Sequence, residues 1–252
     1  MTRSLRPFVL AALVAVVPAA TATAQSLPSP EQLAARHDSL VGGRAALERR
    51  QSIRLAGAFS IPDAGIESPL EILKLRPNKY LFRTSLGMMG EILSGYDGTN
   101  AWAVQPGAGP IVLEGESARQ VADQADFFGD LHDYSRFSRV ETVGEEEFGG
   151  RSAWRVRMVR ASGDTLYEFF DVERGLTLGS ETSVDTPTGK LRTTSLLADY
   201  EDFDGLKVAT RIEQRNPQFR MVILVTKVEF DTLDEAAVAP PEAVLELIKK
   251  KP

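Results

Sequence analysis

The chain has 252 residues, of which 43% are hydrophobic, and its 29 basic and 35 acidic side chains give a net charge of −6. An acidic chain without a basic stripe is not suited to binding nucleic acid, and charge alone does not bring it to an anionic membrane. The chain has no cysteine, which excludes a disulfide framework and lipidation through a cysteine thiol.

Residues 1–24 have the pattern of a cleaved signal peptide. Two arginines precede an apolar run at residues 8–17, and the small residues Ala22 and Ala24 are typical of a cleavage site. The run is too short to span a bilayer comfortably, and a signal anchor is the alternative. The remaining residues, 25–252, hold 27 basic and 35 acidic side chains, a net charge of −8. We expect them to form one soluble domain in a periplasm.

Two short helices are predicted after the leader. Ser29 is placed as an N-cap, with proline at the first helical position and Gln32 completing a capping box. The glycine pair at 42–43 interrupts the helical spacing, and residues 44–51 predict a second short helix.

From residue 52 the hydrophobic period changes to two, which indicates β-strands. The alternation recurs almost to the end of the chain and predicts about ten or eleven antiparallel strands. Tight turns are predicted at Asp97-Gly98 and Asp204-Gly205. Within an insertion at 107–135, Ser117 and its following residues resemble a second capping box ahead of a helix.

These elements predict an α+β fold that is mainly β. A single antiparallel sheet of this size must curl, and a curled sheet has a concave apolar face that a few short helices cover only in part. The expected architecture is therefore a half-open antiparallel β-barrel, with helices over its concave face and a short helix at the end of the chain.

Metal binding is not expected. Residues 198–214 bring four carboxylates into six positions, but aligned on a calcium loop they place Tyr200 and Arg211 where ligands belong. A hairpin turn explains this stretch better. The spacing of the only two histidines, His37 and His132, does not suggest a zinc site. We therefore predict neither metal nor cofactor.

Catalysis is not expected either. The chain has no nucleophile elbow, Walker loop, dinucleotide fingerprint or zinc-protease motif. One alternative remains open, an exported hydrolase in which His132 is a base oriented by Asp133 or Asp130. The simpler interpretation of these residues is a polar loop after the inserted helix.

Five segments occur in a characteristic order along the chain. They are RPNKYLF (76–82), GYDGTNAW (95–102), FDVERGL (170–176), DYEDFDGLKV (199–208) and DTLDEAAVAPP (231–241). Together they resemble the LolA-like family of periplasmic outer-membrane lipoprotein-sorting carriers. Ala209 and Ala239 depart from the family pattern, which has proline and an aromatic residue at these positions in many members.

The resemblance implies a half-open barrel whose helices form a lid over an apolar hollow. In such carriers the hollow takes lipoprotein acyl chains or another lipid, and an arginine matching Arg76 acts as a latch by hydrogen bonding to the lid. An arginine beside an apolar hollow needs acceptors, which helix-end carbonyls can supply.

The resulting prediction is a monomeric, non-enzymatic carrier of a hydrophobic ligand. Its expected partners are lipid or lipoprotein acyl chains and membrane proteins that handle lipoproteins. An envelope sensor or protein-interaction module using the same concave face is the alternative. The residues predicted to line the hollow are Leu55, Phe59, Leu73, Leu75, Phe82, Ile92 and Trp102.

Overall fold

A computed structural model describes residues 26–186 and 189–250. The predicted signal peptide therefore lies outside the described residues. No helix within the described ranges is long and apolar enough to cross a membrane.

The described residues include four α-helices, α1 (Pro30–Leu40), α2 (Gly43–Glu48), α3 (Gly115–Ala125) and α4 (Glu242–Lys249). The predicted capping box at the start of α1 is confirmed, because the Ser29 hydroxyl accepts the Gln32 N–H and the Gln32 side chain accepts the Ser29 N–H. The second predicted capping box is wrong, since α3 begins at Gly115, two residues before Ser117.

In the part of the chain that the structure describes, thirteen strands form one antiparallel sheet. They are β1 (Ser52–Ile61), β2 (Ile66–Leu75), β3 (Lys79–Ser85), β4 (Glu91–Tyr96), β5 (Ala101–Gln105), β6 (Gly109–Val112), β7 (Phe137–Phe148), β8 (Arg151–Arg160), β9 (Thr165–Asp171), β10 (Thr177–Thr186), β11 (Gly189–Phe203), β12 (Leu206–Arg215) and β13 (Arg220–Phe230).

The order across the sheet is β6-β5-β4-β3-β2-β1-β13-β12-β11-β10-β9-β8-β7. The sheet is open, so the expected half-open barrel is confirmed. The predicted strand number of about ten or eleven is too low. The short strand β6 lies in the segment interpreted as an insertion, and its Pro110 is tolerated because β6 is an edge strand.

Helices pack on both faces of the sheet. Successive side chains of a strand point to opposite faces. Ile72 packs against a hydrophobic cluster that includes Val121 of α3, whereas Leu73 and Leu75 belong to a different cluster with Val244 of α4. We call the face under α1, α2 and α3 the inner face, and the face under α4 the outer face.

The outer face has a closely packed core beneath α4. Trp102 is fully buried there, in a cluster with Val244. On the neighbouring strand, a Cβ added to Gly95 would lie 2.4 Å from the Trp102 ring. Only glycine fits at this position without a shift of the indole.

A second close approach joins the two halves of the sheet. The register of β1 against β13 shifts between Ala56 and Gly57, which marks a β-bulge. A Cβ on Gly57 would lie 1.8 Å from the carbonyl oxygen of Leu224 in β13. The strand backbones therefore approach each other at a point where a side chain cannot fit.

The predicted tight turn at Asp204-Gly205 is confirmed, whereas β4 and β5 are joined by a four-residue loop, 97–100, in which the Asp97 carboxylate accepts the N–H groups of Thr99 and Asn100. Asp204 and Gly205 both have positive φ, +51° and +80°, as a two-residue hairpin turn requires. The Asp204 carboxylate forms an ion pair with Arg50, and the Asp202 carboxylate accepts the Gly205 N–H at 3.0 Å. Acidic residues of the 198–214 stretch thus stabilise a hairpin.

Candidate ligand-binding site

An apolar trough lies on the inner face. Its core is formed by strand residues alone, because among the described residues no helical side chain belongs to this cluster. Most of its side chains are only partly buried, as expected for a surface that can accept an apolar ligand. The trough consists of Phe59, Leu70, Ile223 and Val225, with Leu55, Ile61, Ile66, Ile72, Phe82, Ile212, Met221 and Val228 packed against them.

The strand register explains why these side chains share one face. Phe59 lies opposite Ile223, and Ile223 lies opposite Ile212 on the next strand. On the other side of β1, Ile72 is paired with Phe82. Directly opposed residues point to the same side of a sheet, so five neighbouring strands contribute to one continuous surface.

The seven residues predicted to line the hollow do not lie together. Leu55, Phe59 and Phe82 belong to the trough. Ile92 lies opposite Thr84, which places it on the inner face but outside this cluster. The other three need correction, because the alternation of side chains places them on the outer face beneath α4; they are Leu73, Leu75 and Trp102.

Helices and a loop cover the adjoining part of the inner face. Phe127 and Leu131, from the loop that follows α3, pack against Leu47 of α2 and Leu206 of β12. We call residues 126–133 the lid loop, and α1, α2 and the lid loop together the lid. The lid is therefore held by apolar contacts as well as by the polar contacts described next.

Arg76, at the end of β2, contacts two parts of the lid. Its Nη1 donates to the backbone carbonyl of Glu48, the last residue of α2, at 3.0 Å, and to that of Arg50 at 3.5 Å. Its guanidinium lies 5.7 Å and 5.3 Å from the ring centroids of Phe127 and Phe128. The side chain thus combines helix-end hydrogen bonds with cation–π contacts to the lid loop.

His132 of the lid loop is bound by two carboxylates. Its Nδ1 lies 2.7 Å from Oδ1 of Asp38 in α1, and its Nε2 lies 3.1 Å from Oε1 of Glu168 in β9. Burial alone would lower the pKa of His132, but the hydrogen bonds to Asp38 and Glu168 outweigh it and raise the pKa to about 10. The ring is therefore an imidazolium that joins the lid loop and α1 to strand β9. We call Asp38, His132 and Glu168 the imidazolium clamp.

His37 lies beside this clamp with the opposite protonation. Burial, and then the charge of His132, lower the pKa of His37 to about 4, so the ring is neutral. Its Nδ1 accepts the backbone N–H of Thr177 at 3.0 Å, which places the ring proton on Nε2. The two imidazole rings meet edge to face with centroids 5.0 Å apart.

The fold brings together residues that could be taken for a metal site. His37, Asp38 and His132 each place one ligand atom within 4.8 Å of the others, which the sequence spacing did not indicate. Neither imidazole offers a free lone pair, however. His132 donates both ring N–H groups to carboxylates, and the unprotonated nitrogen of His37 is engaged by Thr177. The arrangement fits a bound proton rather than a metal ion.

The same hydrogen bonds weigh against the hydrolase alternative. The carboxylate on His132 is Asp38, so the expected partnership with Asp133 is wrong; Asp133 accepts the N–H of Ser135 at 2.9 Å instead. A general base needs an unprotonated ring nitrogen near the operating pH. His132 has none, because both nitrogens donate to carboxylates.

Comparison with known proteins shows similarity in fold rather than in sequence. No family model matches the chain, and no curated protein matches it. A DUF1329 family protein from Desulfovibrio piger has a TM-score of 0.57 at 12% identity, covering 82% of this chain and 94% of that one. A LolA superfamily protein from Nitrosomonas europaea has a TM-score of 0.55 at 10% identity, covering 85% and 99%.

A third solved structure extends this group. It is a putative outer membrane lipoprotein-sorting protein domain from Vibrio parahaemolyticus, with a TM-score of 0.54 at 13% identity, covering 81% of this chain and 97% of that one. All three match over most of both chains. The open antiparallel sheet with helices on its inner face is therefore the LolA-like fold.

Proposed function

We propose that this protein is a non-enzymatic periplasmic carrier that binds an acyl chain, of a lipoprotein or of another lipid, in the apolar trough. The observation that supports this most directly is the trough itself, a continuous apolar surface from five strands whose cluster includes no helical side chain among the described residues. Apolar grooves of this kind bind ligands by removing hydrocarbon from water.

Burial of an acyl chain can supply the free energy that a carrier needs. Burial contributes about 0.8 kcal/mol per methylene group, so ten methylene groups contribute roughly 8 kcal/mol before the cost of association. A chain of ordinary lipid length can therefore bind reversibly. Release to a partner that handles lipoproteins then requires only a modest difference in affinity.

The lid provides a means of controlling access. Phe127 and Leu131 occupy the inner face next to the trough, so displacement of the lid would extend the apolar surface. Closed and open forms in equilibrium would respond to ligand by a shift in population. Arg76 favours the closed form, because it holds the end of α2 and the lid loop to β2.

Two consecutive residues of β13 test the trough. Ile223 is buried in the trough, whereas Leu224 is 40% exposed and lies opposite Arg211 on the other face. We expect Ile223→Thr to weaken binding of a fluorescent fatty acid about tenfold, because one apolar contact is worth roughly 1 to 2 kcal/mol. Leu224→Thr is the matched control and should leave the affinity unchanged, as measured by titration with displacement by unlabelled lipid.

Native mass spectrometry of protein purified from a periplasm gives an independent result. The proposal expects a co-purifying lipid that the titration can displace. If no lipid co-purifies and no fluorescent fatty acid binds, the carrier function is wrong. Equal loss of affinity in the Ile223 and Leu224 variants would show that the ligand is not bound in the trough.

Arg76→Leu tests the latch. Removal of the guanidinium leaves the Glu48 carbonyl without its donor and removes the charge that lies against Phe127 and Phe128. A hydrogen bond from a charged group contributes roughly 1.5 to 3 kcal/mol, so we expect ligand release at least about tenfold faster in stopped-flow displacement. Arg139 is exposed, and Arg139→Leu is the control. Unchanged release in the Arg76 variant would rule out a latch.

A further inference from the structure

A largely buried lysine lies on the inner face at the lid end of the trough. Lys74 of β2 follows the trough residue Ile72 by two positions, so both side chains point to the same face. Its side chain is only 13% exposed. An ammonium group in such a position costs free energy unless acceptors surround it.

The protein supplies Lys74 with few acceptors. The ammonium nitrogen lies 3.5 Å from the backbone carbonyl of Asp126 and 3.8 Å from the Asp130 carboxylate, both in the lid loop. These distances are at the outer limit for a hydrogen bond and for an ion pair, and the Asp130 side chain is 74% exposed. In the described part of the chain no nearer acceptor is found for the three ammonium protons.

Two tyrosines lie in the same cross-strand row as Lys74. Lys74 lies opposite Tyr80 on β3, and Tyr80 lies opposite Tyr96 on β4. Burial raises the pKa of Tyr80, so its phenol stays protonated and can act as a donor. None of the hydrogen bonds between described residues involves the Tyr80 or Tyr96 hydroxyl. Among the described residues the two hydroxyls of this row therefore have no protein acceptor, and Lys74 has only its two distant ones in the lid loop.

The adjoining row of the inner face is apolar. Leu55, Ile72 and Phe82 are paired across β1, β2 and β3 and belong to the trough. A hydrocarbon chain that lies along β2 over Leu70 and Ile72 would end beside Lys74, since these three are successive inner-face residues of the strand. The site thus joins an apolar surface to a cation with unused hydrogen-bonding capacity.

We infer that the ligand is an anionic amphiphile, whose chain lies in the trough and whose carboxylate or phosphate accepts hydrogen bonds from Lys74. This inference rests on the proposed function and specifies the class of ligand. The anion supplies the hydrogen-bond acceptors that the protein provides only in part to the Lys74 ammonium group. A charge-assisted hydrogen bond of this kind is stronger than a neutral one.

Three probes of equal chain length test the inference: dodecanoate, dodecyl phosphate and methyl dodecanoate, each titrated by displacement of an uncharged fluorescent probe. On the unmodified protein we expect the anions to bind at least about tenfold more tightly than the ester. The comparison of carboxylate with phosphate identifies the preferred head group. In Lys74→Met the anions should lose this advantage, while the affinity for the ester stays within about twofold of the original.

Two further variants control the result. Lys74→Arg keeps the charge and should keep the preference for anions. Lys79→Met removes a lysine that lies on the neighbouring strand and is paired with Glu235, and it should also keep the preference. Should Lys74→Met fail to fold, Lys74→Gln provides the same comparison.

Two outcomes would overturn the inference without affecting the carrier function. One is ester affinity equal to that of the anions on the unmodified protein. The other is a preference for anions that survives loss of the Lys74 charge. Failure of all three probes to bind would instead contradict the proposed function itself.

Discussion

Asp38→Asn is expected to lower the free energy of unfolding at pH 7 by about 3 kcal/mol, because it removes one partner of a largely buried ion pair. The His132 side chain is 9% exposed and donates to both Asp38 and Glu168. With the Asp38 charge gone, Glu168 alone compensates the imidazolium. Urea denaturation followed by circular dichroism measures the difference.

Asp133→Asn is the matched control. Asp133 is adjacent to His132 in the chain, but its carboxylate accepts a loop N–H and does not contact the imidazole. We expect less than about 1 kcal/mol of destabilisation from its replacement. Equal effects of the two substitutions would show that the imidazolium clamp does not stabilise the fold.

The destabilisation caused by Asp38→Asn depends on pH with a definite sign. The pKa of His132 is raised from 6.5 to about 10 in the folded state, so its contribution is complete below pH 6.5 and is lost as the pH rises to 10. The groups that face it are Asp38, Glu168, neutral His37 and Tyr134. The difference in stability between the unmodified protein and Asp38→Asn should therefore shrink between pH 6.5 and 10. A constant difference over this range would contradict the assigned charge of His132.

Gly57→Ala is expected to destabilise the protein by about 3 kcal/mol, since it forces a methyl group into a close backbone contact. The added Cβ would lie 1.8 Å from the Leu224 carbonyl oxygen, and its three nearest neighbours are all backbone atoms of β13, which cannot move away as a side chain could. Relief of this overlap requires β1 and β13 to separate at the bulge. Thermal and urea unfolding would both report the loss.

Gly65→Ala provides the comparison for Gly57. Gly65 lies in the turn after β1, and a Cβ there would meet nothing within 4 Å. Its φ of +63° makes alanine unfavourable by about 1 kcal/mol on backbone grounds alone. If the two substitutions proved equally costly, steric overlap at Gly57 would not be the cause.

The sequence was sufficient to predict elements that depend on local patterns. The Ser29 capping box, the Asp204-Gly205 turn and the strand alternation each follow from residues close together in the chain. The edge strand β6 was missed because it has only four residues, one of which is a proline. Short strands of this kind have too few alternating positions to show a period.

The assignment of faces could not be predicted in the same way. Strand β2 is apolar on both faces, with Ile72 on one and Leu73 and Leu75 on the other. Alternation separates these residues into two sets, but it does not tell which set a helix covers. That depends on α4, which follows β2 by more than 160 residues and packs on the outer face.

The imidazolium clamp was beyond prediction for a related reason. Asp38, His132 and Glu168 come from α1, the lid loop and β9, and no local motif connects them. The sequence drew attention to His132 through its neighbours Asp130 and Asp133, which the fold does not use as its partners. Asp38 and Glu168 come together around His132 only because α1 and the lid loop both cross the inner face of the sheet.

The pairing of β1 with β13 has a consequence for the order of folding. Leu55 lies opposite Val228. Strand β1, the first in the chain, can therefore pair with its second neighbour only after nearly the whole chain has been synthesised. Contacts between such distant segments slow folding, because a long loop must close first. A nascent chain that ends before β13 leaves one side of β1 unpaired, and it also lacks the α4 side chains that bury Trp102. The sheet on both sides of β1 and the core around Trp102 are therefore complete only after β13 and α4 have been synthesised.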